Sequence, residues 1–218
     1  MRASDAGFTG ISPFGYGQSS LRFAELWNYR TAEIPAPLLI VRLASKGRAF
    51  VTLKVKCMQF RPAIPADMDR IYMMGFDVWA EGSNEDEYLS GCRNSPKYAQ
   101  GKWFVLEHDQ ELLSSLIVYS LDPENSVFGI GSIATPAQSR RQGHASTLVR
   151  ATVEHFRRQR PDARFTLYSD ISSEFYERLG FAKLPQELQP YADSTCMIHP
   201  ADAVGLLESQ QIRVPKYF

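Results

Sequence analysis

One stretch, residues 127–158, constrains the fold more than any other part of the chain. Val127–Ala134 is a run of small and apolar residues typical of a buried strand. A short basic turn follows and opens directly into a predicted helix, Ala145–Arg158. Apolar side chains recur along this helix at the spacing of one buried face, and the charged ones lie opposite. Strand, tight turn and amphipathic helix in succession predict a sheet with a helix packed on it.

The flanking residues alternate between short extended runs and short helical segments. Further strands are predicted at Phe50–Phe60, Trp103–Glu107, Leu112–Tyr119, Phe165–Tyr168, Phe181–Leu184 and Ser194–Ile198. Further helices are predicted at Leu21–Tyr29, Ala66–Trp79, Ser172–Leu179 and Ala201–Glu208. The polar residues 81–101 are expected to form a long loop, with room for one helical turn near Glu85–Leu89. This order predicts an α/β (α+β) protein with a mixed sheet and helices on its faces.

The first 57 residues differ in charge from the rest of the chain. They carry eight basic and three acidic groups, whereas the remaining 161 carry 16 basic and 21 acidic groups. Such asymmetry indicates an appendage. Residues 1–57 are therefore interpreted as an N-terminal extension, either upstream of a natural start at Met58 or an arm that covers the cleft or mediates dimerisation. Residues 58–218 are predicted to form the main domain.

Composition excludes several classes of protein. Lys plus Arg and Asp plus Glu both number 24, so the formal net charge is zero, which argues against a general nucleic-acid binder. Three widely spaced cysteines form neither a disulfide framework nor a zinc pattern. No apolar run reaches the roughly 20 residues of a membrane helix, and no signal peptide is evident. We expect a cytoplasmic protein without membrane partners.

The basic turn before the predicted helix Ala145–Arg158 has the chemistry of a phosphate site. The first turn of a helix leaves backbone N–H groups unpaired at the positive end of the helix dipole. Gly143 and Ala145 lack bulk, so a phosphate can approach that backbone, and Arg140, Arg141 and Gln142 add donors. The turn is not a P-loop, since no Gly-Lys-Ser/Thr follows, and it lacks the three glycines of a dinucleotide fingerprint.

Three motifs in order resemble the GCN5-related N-acetyltransferases (GNAT). Arg140-Arg-Gln-Gly143-His-Ala145 is similar to the Arg/Gln-x-x-Gly-x-Gly/Ala motif of that family, and Thr135-Pro136 precedes it as the family expects. Phe175-Tyr-Glu-Arg-Leu-Gly-Phe181 resembles a third family hallmark. The resemblance covers about residues 58–199, and Leu167–Ile171 also looks like a branch that includes fungal lysine acetyltransferases. It implies the GNAT fold, a central mixed and largely antiparallel sheet of six or seven strands with helices on both faces.

The resemblance implies transfer of an acetyl group from acetyl-CoA to an amine, without a metal. The pyrophosphate would lie on the backbone N–H groups of Gln142 to Ser146, and the pantetheine arm would pair with the strand edge around Ile133–Thr135. Tyr176 matches the tyrosine that protonates the leaving thiolate, and a backbone N–H near Ile133 would polarise the thioester carbonyl. The implied cofactor-binding residues are Ile133, Ala134, Thr135, Arg140, Arg141, Gln142, Gly143, His144, Ala145, Ser146 and Ser169.

The general base is less well marked. The strand Val127–Ala134 carries no carboxylate, so Glu107 is the first candidate and Asp170 the second. Desolvation of the amine can also lower its pKa before attack. Ser169 stands where the family often has Asn, which departs from the usual pantetheine contact.

Three functions remain open from the sequence. The first is an acetyltransferase acting on a primary amine of a small molecule or of a lysine, by direct attack in a ternary complex. The second is a regulatory module that binds acyl-CoA without turnover, and the third is an interaction protein whose basic arm docks an acidic partner. The sequence does not identify the acceptor, and a homodimer is compatible with the resemblance.

Overall fold

A computed structural model describes residues 58–209 and 213–218. The predictions for residues 1–57, which include the helix Leu21–Tyr29 and most of the strand Phe50–Phe60, lie outside the described residues.

Within residues 58–209 and 213–218, seven strands form one sheet, in the order β1-β2-β3-β4-β5-β7-β6, numbered along the chain. Neighbouring strands are antiparallel except β4 and β5, which are parallel. The prediction of a mixed, largely antiparallel sheet of six or seven strands is therefore confirmed. The strands are β1 Gln59–Pro62, β2 Lys102–His108, β3 Glu111–Asp122, β4 Val127–Ala134, β5 Arg164–Ser169, β6 Ala182–Lys183 and β7 Thr195–His199.

Helices cover both faces of this sheet. The long helix α5, His144–Gln159, packs Phe156 against phenylalanines of β2, β4 and β5 on one face. On the other face, Ile71 and Met74 pack with alternate residues of β2 and β3, including Trp103 and Ile117. The helices are α1 Met68–Met73, α2 Phe76–Trp79, α3 Glu85–Arg93, α4 Pro96–Ala99, α5 His144–Gln159, α6 Glu174–Glu177 and α7 Val204–Glu208.

The predicted helix Ala66–Trp79 is wrong as a single element. The chain makes a 3-10 turn at Pro65–Asp67, then α1, and then the separate α2. Gly75 lies at the break, and a Cβ there would sit 2.0 Å from the Trp79 ring. The break therefore lets the Trp79 side chain fold back over the backbone, a packing arrangement that periodicity does not encode.

The prediction of a long loop at residues 81–101 is also wrong, because the segment contains α3 and α4, although the helical turn expected near Glu85–Leu89 falls within α3. Asn84 caps α3 by accepting a hydrogen bond from the backbone N–H of Glu87, 3.0 Å away, and the Glu87 carboxylate in turn accepts one from the Asn84 N–H. Ser95 caps α4, whose first residue is a proline. These are ordinary helix-start signals that outweigh the polar composition of the segment.

The parallel pair β4–β5 creates the opening that positions the site. Only Val127, Phe128 and Gly129 of β4 pair with β5, so beyond them the two strands separate. Near the end of β4 the register with β3 slips, and Ser132 has a φ of 44°. This bulge turns the last residues of β4 away from a regular ladder and leaves their edge towards β5 without a strand partner among the described residues.

The C-terminal segment, residues 213–218, packs on the sheet face opposite α5. Its last ring, Phe218, lies 5.3 Å from the Tyr119 ring and directly over Gly129, where a Cβ would be 2.5 Å from it. The Tyr168 hydroxyl donates a hydrogen bond to the Pro215 carbonyl. None of the helices within residues 58–209 and 213–218 is long and apolar enough to cross a membrane.

Candidate functional site

A cleft of about 390 Å³ lies where β4 and β5 separate. One wall is the end of β4 with the basic turn and the start of α5, and another comes from the break between α1 and α2. A third wall follows β5. The lining residues are Met74, Gly75, Val78, Trp79, Ile133, Ala134, Thr135, Ser139, Arg140, Arg141, Gly143, His144, Ala145, Ser146, Ile171, Phe175 and Tyr176.

The start of α5 presents open backbone donors to this cleft. Gly143 adopts a left-handed φ of 83° and no side chain caps the helix, while the first helical bond runs from the Thr147 N–H to the Gly143 carbonyl at 2.9 Å. Arg141 also has a positive φ, of 62°. A Cβ built on Gly143 would meet nothing within 4 Å. The backbone N–H groups of residues 144–146 precede the first intrahelical bond at the positive end of a 16-residue helix, next to the open space beside Gly143, an arrangement suited to a phosphate.

Arg140 lines the cleft but its guanidinium is already engaged. It forms two hydrogen bonds of 2.7 and 2.6 Å with the carboxylate of Asp77, and its Nε donates to the Thr135 carbonyl at 3.0 Å. The pairing holds the pKa of the Asp77 carboxyl below its usual value. Arg140 thus joins α2 to the basic turn, a role that the sequence motif alone does not indicate.

Two of the expected cofactor-binding residues lie outside the cleft wall. Gln142 is exposed and its side-chain amide donates to the Gln138 carbonyl at 3.2 Å. Ser169 is buried at the end of β5, where its hydroxyl donates to the Ile171 carbonyl at 2.9 Å. The Ser169 hydroxyl therefore stabilises the turn after β5 and is not turned into the cleft.

Tyr176 lies on the cleft wall opposite β4 and is only 7% exposed. Burial raises its pKa to about 12, with smaller contributions from the charges of Asp170 and Tyr217. The rings of Phe175 and Phe181 contact it edge-on, at 4.9 and 6.1 Å between centroids. The phenol is therefore fixed in place and protonated at neutral pH, as a proton donor requires.

The two carboxylates expected as candidates for the general base differ in position. Glu107 is paired with Arg61 at the β1 edge, where Arg61 also binds Asp67, and it does not line the cleft. Asp170 follows β5 directly, and its carboxylate accepts a hydrogen bond of 3.1 Å from the Tyr217 hydroxyl. The structure therefore brings Asp170, and not Glu107, to the neighbourhood of Tyr176.

Sequence reasoning missed the apolar part of the cleft. Val78 and Trp79 of α2 line it although they are 62% and 42% exposed, and Ile171 is 61% exposed on the other side. Large apolar side chains that remain exposed next to a cavity indicate a surface that contacts a ligand. The signal in the sequence is weak, because Val78 and Trp79 fall in a predicted continuous helix and Ile171 falls between a predicted strand and a predicted helix.

The described residues fit the parts of a CoA-type ligand. The helix start offers donors for a pyrophosphate, the free edge of β4 offers pairing for an amide-containing arm, and apolar residues flank both. In residues 58–209 and 213–218, no group of three or more His, Cys, Asp or Glu side chains is arranged to hold a metal ion.

The comparison with protein families matches residues 67–181, more than half of the chain, to the acetyltransferase (GNAT) family. The comparison with curated proteins found no match.

Solved structures share the fold at low sequence identity. One is a chimera of spermidine N-acetyltransferase SpeG from Vibrio cholerae and hSSAT, with 14% identity over 67% of this chain and 97% of that chain, at a TM-score of 0.53. A mutant of spermidine N-acetyltransferase SpeG from Vibrio cholerae is 14% identical over 67% of this chain and 95% of that chain, at a TM-score of 0.53. A putative N-acetyltransferase from Lactobacillus plantarum is 20% identical over 65% of this chain and 96% of that chain, at a TM-score of 0.51.

Proposed function

The chain belongs to the acetyltransferase (GNAT) family, and we propose that it transfers the acetyl group of acetyl-CoA to a primary amine of a small molecule or of a lysine. One observation carries this proposal. On one side of the cleft, the unpaired edge of β4 leads to the start of α5, which has no side-chain cap. On the other side lies Tyr176, which is buried and protonated at neutral pH.

The cofactor arm would lie along β4. Its amides would pair with the free edge around Ile133–Thr135, as an added strand pairs with a sheet edge. The pyrophosphate would accept hydrogen bonds from the backbone N–H groups at Gln142 to Ser146, where the helix dipole favours negative charge. Arg141 is exposed on the cleft wall near the start of α5 and could bind the pyrophosphate directly. Arg140 would first have to give up its hydrogen bonds to Asp77.

Acetyl transfer would place the thioester between β4 and Tyr176. The neutral amine nitrogen attacks the thioester carbonyl carbon, the carbon–sulfur bond breaks, and the Tyr176 hydroxyl gives its proton to the leaving thiolate. The nitrogen loses one proton to water as the amide forms, and water returns a proton to the Tyr176 phenolate. A backbone N–H near Ile133, at the bulge of β4, would stabilise the negative charge on the carbonyl oxygen. Desolvation by Val78, Trp79 and Phe175 would favour the neutral amine, the form that attacks.

A turnover assay with a matched variant tests this proposal. The purified chain is incubated with acetyl-CoA and a panel of primary amines, and release of free CoA thiol is followed together with the mass of the acetylated product. Tyr176→Phe keeps the ring and removes only the hydroxyl that donates the proton, so kcat should fall by about 10²–10⁴ while the affinity for acetyl-CoA stays within about threefold. Full activity of Tyr176→Phe would exclude the tyrosine as the acid.

A second candidate function is a regulatory module that binds acyl-CoA without turnover. It is favoured by the absence of a carboxylate among the residues that line the cleft in the described part of the chain. It predicts acetyl-CoA binding, no acetylated product from any amine, and no effect of Tyr176→Phe on cofactor binding.

We also propose that residues 58–218 form the catalytic domain, with residues 1–57 as an extension, and that the protein acts in the cytoplasm. The family match begins at residue 67, within this domain. Deleting residues 1–57 should leave acetyl-CoA binding intact, and gel filtration of both forms would test a homodimer.

A further inference from the structure

A carboxylate and an aromatic ring meet at the edge of the cleft, and a lysine ammonium lies on the ring. The Tyr217 hydroxyl donates to Asp170 at 3.1 Å, and the Nζ of Lys97 lies 5.4 Å from the centre of the Tyr217 ring. A ring face and a carboxylate are the two groups that attract an organic ammonium ion most strongly. We refer to Asp170 and Tyr217 together as the ammonium subsite.

The Tyr217 ring is held in place by its neighbours. It contacts Tyr168 at 5.0 Å and Tyr191 at 5.9 Å between ring centroids, and its backbone N–H donates to the Tyr191 hydroxyl at 3.2 Å. The chain is also held on both sides of Tyr217. The Pro215 carbonyl accepts the hydrogen bond from Tyr168, and the Phe218 ring packs over Gly129. Tyr217 is thus a fixed surface on the sheet, suited to binding a ligand.

The subsite adjoins the reacting centre of the cleft. Asp170 immediately precedes Ile171, which lines the cleft together with Tyr176. The charges of Asp170 and of ionised Tyr217 both contribute to the raised pKa of Tyr176, after the larger effect of burial. On the other side, Tyr98 follows Lys97 on α4, and its hydroxyl contacts Ser132, one residue before the cleft-lining Ile133.

Lys97 behaves as an internal occupant of this subsite. Its side chain is partly buried, and the desolvation lowers its pKa against an opposing effect of Asp170. The subsite favours a protonated group, whereas the amine that attacks the thioester must be neutral. An ammonium bound there is therefore a second cationic group of the acceptor and not its nucleophile.

We propose that Asp170 and Tyr217 bind a second ammonium group of the acceptor, and that Lys97 occupies this subsite until the acceptor displaces it. The acceptor is then a diamine or longer polycationic amine. This inference rests on the proposed acetyl transfer and names its substrate class and two specificity-determining residues.

The test compares putrescine, which has two ammonium groups, with butylamine, which has one. Lys97→Met removes both the competitor and its repulsion, so the ratio of kcat/KM for putrescine to that for butylamine should rise about three- to tenfold through KM. Tyr217→Leu removes the ring and should lower that ratio by a similar factor, whereas Tyr217→Phe should retain most of it. Asp170→Asn should lower it as well.

The chain offers a matched control for the lysine. Lys102 lies 5.8 Å from the Phe104 ring, on the sheet face that carries α5. Lys102→Met should leave the putrescine to butylamine ratio unchanged. An equal rise in Lys102→Met and Lys97→Met would overturn the proposal, as would a ratio unaffected by both Lys97→Met and Tyr217→Leu.

Binding separates this inference from the proposed function. Calorimetric titration of putrescine and butylamine into the protein saturated with CoA measures the subsite without turnover. Tighter putrescine binding in Lys97→Met supports the subsite even if no product forms. Acetylation of amines without any preference for putrescine refutes the subsite but leaves the proposed acetyl transfer intact.

Discussion

The proton on Tyr176 gives the most specific prediction. The pKa of about 12, raised by burial from the ordinary value of 10, means that roughly one molecule in a thousand is ionised at pH 9. An acid with this pKa keeps its proton over the whole range in which enzymes are assayed. We therefore expect kcat to show no alkaline decline from this group below about pH 11.

The same shift predicts how stability depends on pH. A raised pKa in the folded state favours the protonated phenol, so this contribution is present in full below pH 10 and is lost as pH rises through about 12. A pKa shift of two units corresponds to about 3 kcal/mol of unfolding free energy. Because the Tyr176 phenol is largely buried, solvent screens little of this contribution. Tyr176→Phe lacks the ionisable group and should lose about 2 kcal/mol less of its unfolding free energy than the wild type between pH 9 and 12, because the folded-state phenol is only half ionised at pH 12.

Urea unfolding of the two proteins at several pH values measures this difference, and the other tyrosines cancel in the comparison. The reasoning would be refuted if kcat of the wild type declined near pH 9 and Tyr176→Phe lacked this decline. Such a decline would mean that the Tyr176 phenol is solvated. Parallel stability curves for the two proteins would refute the assigned burial.

Three further substitutions test other parts of the structure. Gly129→Ala puts a methyl group about 2.5 Å from the Phe218 ring and should displace residues 213–218, seen as faster amide hydrogen exchange there with β4 still protected. Glu107→Gln should leave kcat/KM within about twofold and lower the melting temperature by about 2–4 °C, since it weakens an ion pair outside the cleft; a large loss of kcat would restore it as the base. Asp77→Asn frees Arg140 and should tighten acetyl-CoA binding about two- to fivefold in a calorimetric titration, while unchanged affinity would mean that Arg140 does not reach the phosphate.

The strand, turn and helix around Gly143 could be predicted from sequence because each is governed by local chemistry. The apolar face of α5 has helical periodicity, and β4 is the predicted Val127–Ala134 to the residue. Gly143 was expected to let a ligand approach the backbone, and its positive φ adds a reason for glycine there.

The polar segment before β2 was mispredicted because composition was given more weight than helix capping. Asn84 and Glu87 form a capping box, and Ser95-Pro96 begins the next helix, so both starts were visible in the sequence. Tyr88 and Cys92 provide the buried side of α3. The break at Gly75 is different, since it depends on the ring of Trp79 folding back, which no local pattern reports.

The roles of charged residues were the least predictable part of the site. Arg140 was expected to contact phosphate, and Glu107 was the first candidate for the base. Both are held by partners distant in sequence, Arg140 by Asp77 and Glu107 by Arg61. Pairing of this kind follows from tertiary structure, so sequence spacing identifies the donor or acceptor but not what it binds.

The central claim is that acetyl-CoA lies on the backbone at the start of α5, and calorimetric titration of the full chain tests it most directly. Gly143→Glu adds a carboxylate at that place, and Gly82→Glu is a matched control, because Gly82 also has a positive φ, of 89°, with open space around its Cβ. We expect micromolar binding by the wild type and by Gly82→Glu, and none by Gly143→Glu. Wild-type affinity in Gly143→Glu, or no binding by the folded wild type, would contradict the account.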